Sequence, residues 1–350
     1  MPVPHRLAAF LCALTLLVPN AFAAQTTPLA NPFQDPVDLE ALPDGSLLVA
    51  QRAGTILRVY PGAKSAPELW ADLTLSTMTG PELGLLGIAA DRDFGSNGYV
   101  YALQAFYSGG DITLRIIRLR DSATGGLLNR VIADNLPSGS EHPGGVLAIG
   151  PDGKLYAGIG DGGSEASLVT PVNLRAVLLR FELDGTIPAD NPDPKSPVWA
   201  YGLRDLRGLA WQPGTDRLYA LDRGPVIPKG TMDELDLIEK GKDYGWPKHL
   251  AREVVAGVVK PVIYCSSGHS WIPGGAVFVA GGDWEGSLLF TGAGEGVLYH
   301  LTLDIKSPTK ITFYEELVGG ELGALIDVAQ SPEGVLYLLS RTTLYSLSQD

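Results

Sequence analysis

Only two cysteines occur in 350 residues, Cys12 and Cys265. No Cys-x-x-Cys pair exists, so redox and zinc motifs of that kind are excluded, and no disulfide framework can carry the fold. Cys265 reads as a buried, inert thiol. Basic residues are also scarce: 26 Lys and Arg stand against 39 Asp and Glu, a formal net charge of −13. That balance repels nucleic acid and anionic lipid, and it suits a bound divalent cation. Of the five histidines, His249, His269 and His300 lack partners at metal-ligand spacing and read as structural. No serine sits in a Gly-x-Ser-x-Gly elbow, and no phosphate-binding loop is present. Beyond the N-terminus no apolar run approaches the roughly 20 residues that cross a bilayer, so membrane insertion is not expected.

What the N-terminus does have is the pattern of an export leader. Arg6 precedes an apolar stretch at residues 7–19, and Ala21-Phe22-Ala23 is a small-residue cleavage site. Residues 1–23 are expected to be removed before Ala24, taking Cys12 and His5 with them. The chain left at 24–350 is expected to be one domain, periplasmic or secreted. Arg6 is the one charged residue lost, which leaves a formal charge of −14.

Glycine (43) and proline (26) are plentiful, the mark of many short strands joined by tight turns. A turn followed by an apolar strand recurs six times. The copies are Pro43-Asp44-Gly45-Ser46-Leu47-Leu48, Asn97-Gly98-Tyr99-Val100, Pro151-Asp152-Gly153-Lys154-Leu155, Asp216-Arg217-Leu218-Tyr219, Glu285-Gly286-Ser287-Leu288 and Pro332-Glu333-Gly334-Val335-Leu336. Intervals of 53, 55, 63, 70 and 48 residues separate positions 45, 98, 153, 216, 286 and 334. One such unit cannot bury both its faces. Arranged radially the units bury one another and leave short, protected edges. A period near 50 residues suits a four-stranded blade with loops. The expectation is an all-β, six-bladed β-propeller of four-stranded antiparallel blades. Residues 232–240 are the one short segment expected to be helical.

In such a ring, loops at one end of the central channel carry the chemistry. His142 stands in Glu141-His142-Pro143-Gly144-Gly145, where the glycines let backbone approach a ligand; it reads either as a general base or as a loop histidine bonded to backbone. Arg204, in Gly202-Leu203-Arg204-Asp205-Leu206-Arg207-Gly208, reads as an anion clamp or as a salt-bridge partner. Gly224-Pro225 with nearby Asp233-Glu234 offers hard oxygen donors of the kind Ca²⁺ prefers, or an ordinary acidic loop. Tyr244-Gly245-Trp246-Pro247 reads as packing.

Taken in order, these motifs resemble the soluble PQQ-dependent sugar dehydrogenases, the glucose/sorbosone dehydrogenase family. The resemblance runs over residues 36–347 and includes Pro36-Val37-Asp38-Leu39, Gly84-Leu85-Leu86-Gly87 and Asp184-Gly185-Thr186. It implies a quinoprotein that oxidises an aldose at its anomeric hydroxyl and passes electrons to an external acceptor. His142 matches the family's general base, and Arg204 matches the arginine beside the quinone oxygen. Gly224 and Pro225 match the carbonyls that hold Ca²⁺, and Asp233 and Glu234 match the acidic pair after them. The family pattern is also broken. Asp205 replaces a cofactor-binding asparagine, Ala324 and Ile326 replace two arginines, and Glu295 stands where a lysine is common. PQQ carries three carboxylates, so these losses remove its cationic partners. Arg207, Arg223 and Lys229 are available as substitutes. Two alternatives follow: a propeller that has lost PQQ and binds a sugar or protein partner, or a Ca²⁺-dependent hydrolase of the lactonase type.

Overall fold

Each of the six turn-and-strand copies becomes the second strand of a four-stranded antiparallel sheet. The protein, a computed structural model, is described at residues 24–62, 66–164, 166–265 and 268–349; the expected leader at 1–23 lies outside these residues. Strand β1 (Ala24–Ala30) precedes blade 1, which is β2 (Pro36–Ala41), β3 (Leu47–Gln51), β4 (Thr55–Val59) and β5 (Glu68–Asp72). Blade 2 is β6 (Leu85–Ala90), β7 (Tyr99–Ser108), β8 (Asp111–Arg120) and β9 (Leu127–Pro137). Blade 3 is β10 (Gly144–Ile149), β11 (Leu155–Ile159), β12 (Val177–Phe181) and β13 (Val198–Tyr201). Blade 4 opens with β14 (Leu206–Trp211) and β15 (Leu218–Asp222). A small hairpin follows, β16 (Val226–Ile227) and β17 (Gly230–Thr231), before β18 (Glu234–Ile238) and β19 (Ile263–Tyr264) complete the sheet. Blade 5 is β20 (Pro273–Phe278), β21 (Leu288–Gly292), β22 (Val297–Leu303) and β23 (Ile311–Gly319). Blade 6 takes β24 (Leu325–Gln330), β25 (Leu336–Ser340) and β26 (Leu344–Gln349), and β1 returns to pair antiparallel with β26 as its outermost strand. The ring is thus closed by the two ends of the described chain.

The second strands are buried on both faces, not one: every residue of β3, β11, β15, β21 and β25 is buried. Each lies inside a blade that is itself sandwiched between two others. The core accordingly divides into six apolar slabs, one per blade interface. Leu48 and Ala50 of blade 1 pack on Ile88 and Ala102 of blade 2, and Tyr337 and Leu339 of blade 6 pack on Leu39 and Val49 of blade 1. Each buried leucine contributes roughly 1.5–3 kcal/mol. The turns use positive φ as expected at Gly45, Gly153, Gly286 and Gly334 (φ 72–88°). In blade 4 the left-handed residue is Gly214, two before Asp216.

The helix expected at 232–240 is instead strand β18. Its pairing runs from Asp222↔Glu234 to Leu218↔Ile238. Residues alternate across it: Leu235 enters the slab shared with blade 5, and Ile238 enters the slab shared with blade 3. That two-residue period is a strand's, and tertiary burial overrides the helix-forming composition.

The six inner strands β2, β6, β10, β14, β20 and β24 each ladder on one side only, leaving a free edge toward the channel. Amides on such an edge need acceptors. Side chains of neighbouring blades supply them at all six interfaces. Asp38 and Glu40 accept from Ile88 N (2.6 Å) and Ala90 N (3.1 Å) between blades 1 and 2. Glu82 accepts from His142 N (2.7 Å) between blades 2 and 3, and Asp205 from Gly144 N (2.9 Å) between blades 3 and 4. Asp233 accepts from Ile272 N (2.9 Å), Gln330 from Ala280 N (2.8 Å) and Asp327 from Leu39 N (2.8 Å), completing the circle.

Losing one such acceptor leaves a buried amide unsatisfied, at about 1–3 kcal/mol. Asp327→Ala is therefore expected to lower the melting temperature clearly, because both Leu39 N and Val328 N lose their acceptor, whereas Asp327→Asn, whose one amide oxygen can still accept from Leu39 N, lowers it less. Equal losses in the two variants would show that the inter-blade bond does not matter.

Candidate active site

The free ends of the inner strands surround a channel mouth lined by Arg52, Arg207, Arg223 and Arg341 together with Asp35 and Glu82. A side recess opens beside it, sharing Arg223 and Ile272, walled by His142, Arg204 and Gly224 and flanked by the β16–β17 hairpin. Three inter-blade bonds set this end of the ring, those of Glu82, Asp205 and Asp233.

His142 sits just before β10 in a left-handed conformation (φ 46°). Such a backbone costs about 1–3 kcal/mol outside glycine and persists only where its surroundings fix it. Here Glu82 takes its amide (2.7 Å), and its carbonyl accepts from Gly162 N (3.1 Å). The ring is held at both nitrogens: Nδ1 is 3.1 Å from Asp161 Oδ1, and Nε2 is 2.8 Å from Arg204 Nη2. A carboxylate only accepts and a guanidinium only donates. These partners select the neutral tautomer with Nδ1–H toward Asp161 and a lone pair on Nε2. Asp161 is fixed in turn by Trp246 Nε1 (3.0 Å) and Gly163 N (2.8 Å).

Arg204 is the hub. Its amide donates to Asp222 (2.6 Å), its Nη1 to Gly224 O (2.9 Å) and Arg223 O (3.1 Å), and its guanidinium lies over the Trp246 ring at 5.2 Å. Its buried Nε has no hydrogen-bond partner and stands 3.7 Å from Asp161 Oδ2. Gly224 must be glycine, because a Cβ there would fall 1.9 Å from Met232 O.

The sequence expectations divide. His142, Arg204 and Gly224 come together. The Pro225 carbonyl accepts from Met232 N (3.0 Å). Asp205 is fully buried and committed to Gly144 N and Arg207 (2.7 Å). Asp233 and Glu234 part company. Asp233 accepts from Gly224 N (3.1 Å), Thr231 and Ile272 N, so it shapes the Gly224 loop. Glu234 instead joins the buried acids Asp222 and Asp236, and burial followed by the charges of Asp236 and Asp222 pushes it up to about 10. Glu295 bonds to Tyr299, Ser270 N and His269 and does not line the mouth. Of the three substitute cations, Arg207 and Arg223 line the mouth and Lys229 does not. Asp161, Glu82, Arg52 and Arg341 were not anticipated, and Trp246 proves to be part of the site. The bracketing glycines of Gly160-Asp161-Gly162-Gly163, directly after a second strand, were the available signal for Asp161. Among the described residues no group of three or more His, Cys, Asp or Glu side chains is arranged to hold a metal ion.

The chain is similar to known proteins over most of its length. An aldose sugar dehydrogenase of Streptomyces coelicolor, solved in its PQQ-bound form, is 30% identical, covering 94% of this chain and 99% of its own, with a TM-score of 0.79. Quinoprotein glucose dehydrogenase B of Acinetobacter calcoaceticus is 29% identical over 86% of this chain and 82% of its own length. Aldose sugar dehydrogenase YliI of Escherichia coli K12 is 25% identical over 96% of each. The class is that of the propeller oxidoreductases resembling soluble PQQ-dependent sugar dehydrogenases. The sequence profile of the glucose/sorbosone dehydrogenase family matches residues 33–346, and the chain belongs to that family.

Two carboxyls near the channel give a pH signature. Burial opposes ionisation of Glu82, but the Arg223 hydrogen bond, the His142 amide and the charges of Arg223 and Arg207 hold it at about 2. Burial, then the charge of Asp38, pushes Glu40 up to about 8. An unfolded glutamate titrates near 4.3. Glu82 therefore contributes stability that is present above about pH 4.3 and lost as pH falls through about 2. Glu40 contributes stability that is present below about pH 4.3 and lost as pH rises through about 8. The melting temperature is expected to decline from pH 5 to pH 9, and Glu40→Gln should flatten that decline. An identical decline in Glu40→Gln would remove Glu40 from the account.

Proposed function

We propose that the protein oxidises an aldose at its anomeric carbon, with PQQ bound in the channel mouth and an external carrier as the final electron acceptor. The observation that carries this reading is the His142–Asp161–Arg204 cluster beside a mouth that presents four arginines.

The residues fit an aromatic polycarboxylate. Guanidinium groups pair with carboxylates through forked, charge-assisted bonds. Arg52, Arg207, Arg223 and Arg341 line the mouth. The family's arginines are absent at Ala324 and Ile326, but the mouth still offers four arginines beside the acids Asp35, Asp38, Glu82 and Asp327, and Glu295 is turned into protein contacts.

The fit to Ca²⁺ at Gly224 and Pro225 is poorer. Arg204 Nη1 sits on the Gly224 carbonyl and Met232 N on that of Pro225. Asp233 is spent on three other donors. Negative charge for an ion there would come from the cofactor's carboxylate, so no step is derived through the metal.

Bound PQQ supplies hydride acceptance. The chain supplies the rest. When a sugar hydroxyl displaces Arg204 Nη2, His142 Nε2 takes the hydroxyl proton as C1 gives up its hydride. Asp161 receives the Nδ1–H bond and stabilises the resulting imidazolium, as a carboxylate does for an imidazole base. Arg204 keeps positive charge beside the reacting centre, and Trp246 holds both Asp161 and the guanidinium plane. Export belongs to the same proposal. Its support is the leader-like pattern of residues 1–23, an Arg6 followed by an apolar stretch and Ala21-Phe22-Ala23.

The test is titration of PQQ into the purified protein with millimolar Ca²⁺, followed by dye-linked oxidation of an aldose panel. PQQ should bind, His142→Ala should lose about 10²–10⁴-fold in turnover, and its PQQ affinity should stay near that of the parent. No binding at high micromolar PQQ would overturn the reading and leave a propeller that binds a sugar or protein partner.

A further inference from the structure

We propose that Arg341 stands in for the arginines missing at positions 324 and 326, and that it grips a cofactor carboxylate from blade 6 while Arg207 faces it from blade 4. The inference rests on the PQQ reading above and assigns the residues that replace the lost clamp.

The replacement is spatial. Arg341 follows β25 in the turn to β26, and its amide donates to Ala324 O (3.1 Å). An arginine side chain therefore leaves the backbone directly beside the position that lost one. It lines the mouth with Leu325, Ile326 and Asp327. The turn that carries it is braced from both sides. Ser340 N and Oγ donate to Thr343 O (2.8 and 3.1 Å), and Thr342 O accepts from Phe33 N (3.0 Å). A guanidinium on a fixed turn loses less freedom when it binds than one on a loose loop.

Charge separates Arg341 from its neighbours. Arg52 is paired with Asp35 (2.6 Å), Arg207 with Asp205 (2.7 Å) and Arg223 with Glu82 (2.7 Å). Among the described residues Arg341 has no ion pair. The blade 6 acid that lines the mouth with it, Asp327, is occupied by Leu39 N and Val328 N and shares a hydrogen bond with Asp38. Burial, then the charge of Asp38, raises Asp327 well above its ordinary range, so it does not neutralise the arginine. Arg341 is the cation of the mouth left over for an incoming anion, and blade 6 is the side from which the family pattern lost its two.

The test measures PQQ binding by calorimetry, without reference to turnover, for the parent, Arg341→Ala, Arg341→Lys and the double variant Arg341→Ala/Ala324→Arg. Arg341→Ala should raise Kd about ten- to hundred-fold, the range for one forked carboxylate contact, and should flatten the dependence of Kd on salt. Arg341→Lys should fall between, keeping charge but losing the fork. The double variant should recover most of the affinity by returning the cation to its strand position. Parent binding with Arg341→Ala within twofold of it would overturn this inference and leave the PQQ reading standing. Failure of the parent itself to bind PQQ would overturn both.

Discussion

The rest of the structure depends on one constraint: six inner strands expose amides to a channel, and every interface between blades must satisfy some of them without a ladder. Side-chain oxygens do it, mostly carboxylates, reaching across from the neighbouring blade. Apolar slabs set how tightly blades press together, but they are indifferent to sliding. Hydrogen bonds with fixed donors fix the height of each blade against the next. The acidic composition of the chain is thus partly architectural. Several of its 39 acids are consumed inside the ring and never meet solvent or ligand.

The same bonds build the candidate site. Glu82 and Asp205 seize the His142–Gly144 segment from opposite blades, so a strained histidine backbone is held by the device that holds the ring. Asp233 does likewise for Gly224. Arg204 then ties these parts into one unit through Gly224 O, Asp161 and the imidazole. Positive charge at the mouth is tempered by acids at Asp35, Glu82 and Asp205. These partners keep four arginines from repelling one another in the absence of an anion.

Much of the fold was legible because it repeats. A turn glycine before a short apolar run marks the second strand of every blade, and six copies suffice to count blades. The misreading at residues 232–240 arose where an inserted hairpin and a run rich in Asp, Glu and Leu imitate a helix; only pairing with β15 settles the period. Half of the site was legible as motif, in His142, Arg204 and Gly224. Asp161 was hidden among glycines that look like one more turn. Asp205, Asp233 and Glu234 were visible as acids, but whether an acid serves a ligand or a backbone amide depends on partners 9 to 61 residues away. Arg341 could not be found by comparing positions, since the position that lost its charge and the one that offers it belong to different strands.

The closing strand carries a temporal meaning. Among the described strands β1 is the first to leave a ribosome or a translocation pore, and its partner β26 is the last. The first-made strand must wait, unpaired, until the whole chain has arrived, which is the slowest kind of contact to form. A chain halted before Leu344 would lack β26, leaving β1 unpaired and one side of β25 bare, open edges of the kind that invite aggregation and proteolysis. Ring closure thus acts as a proofreading step on synthesis, because only a finished copy can become a circle.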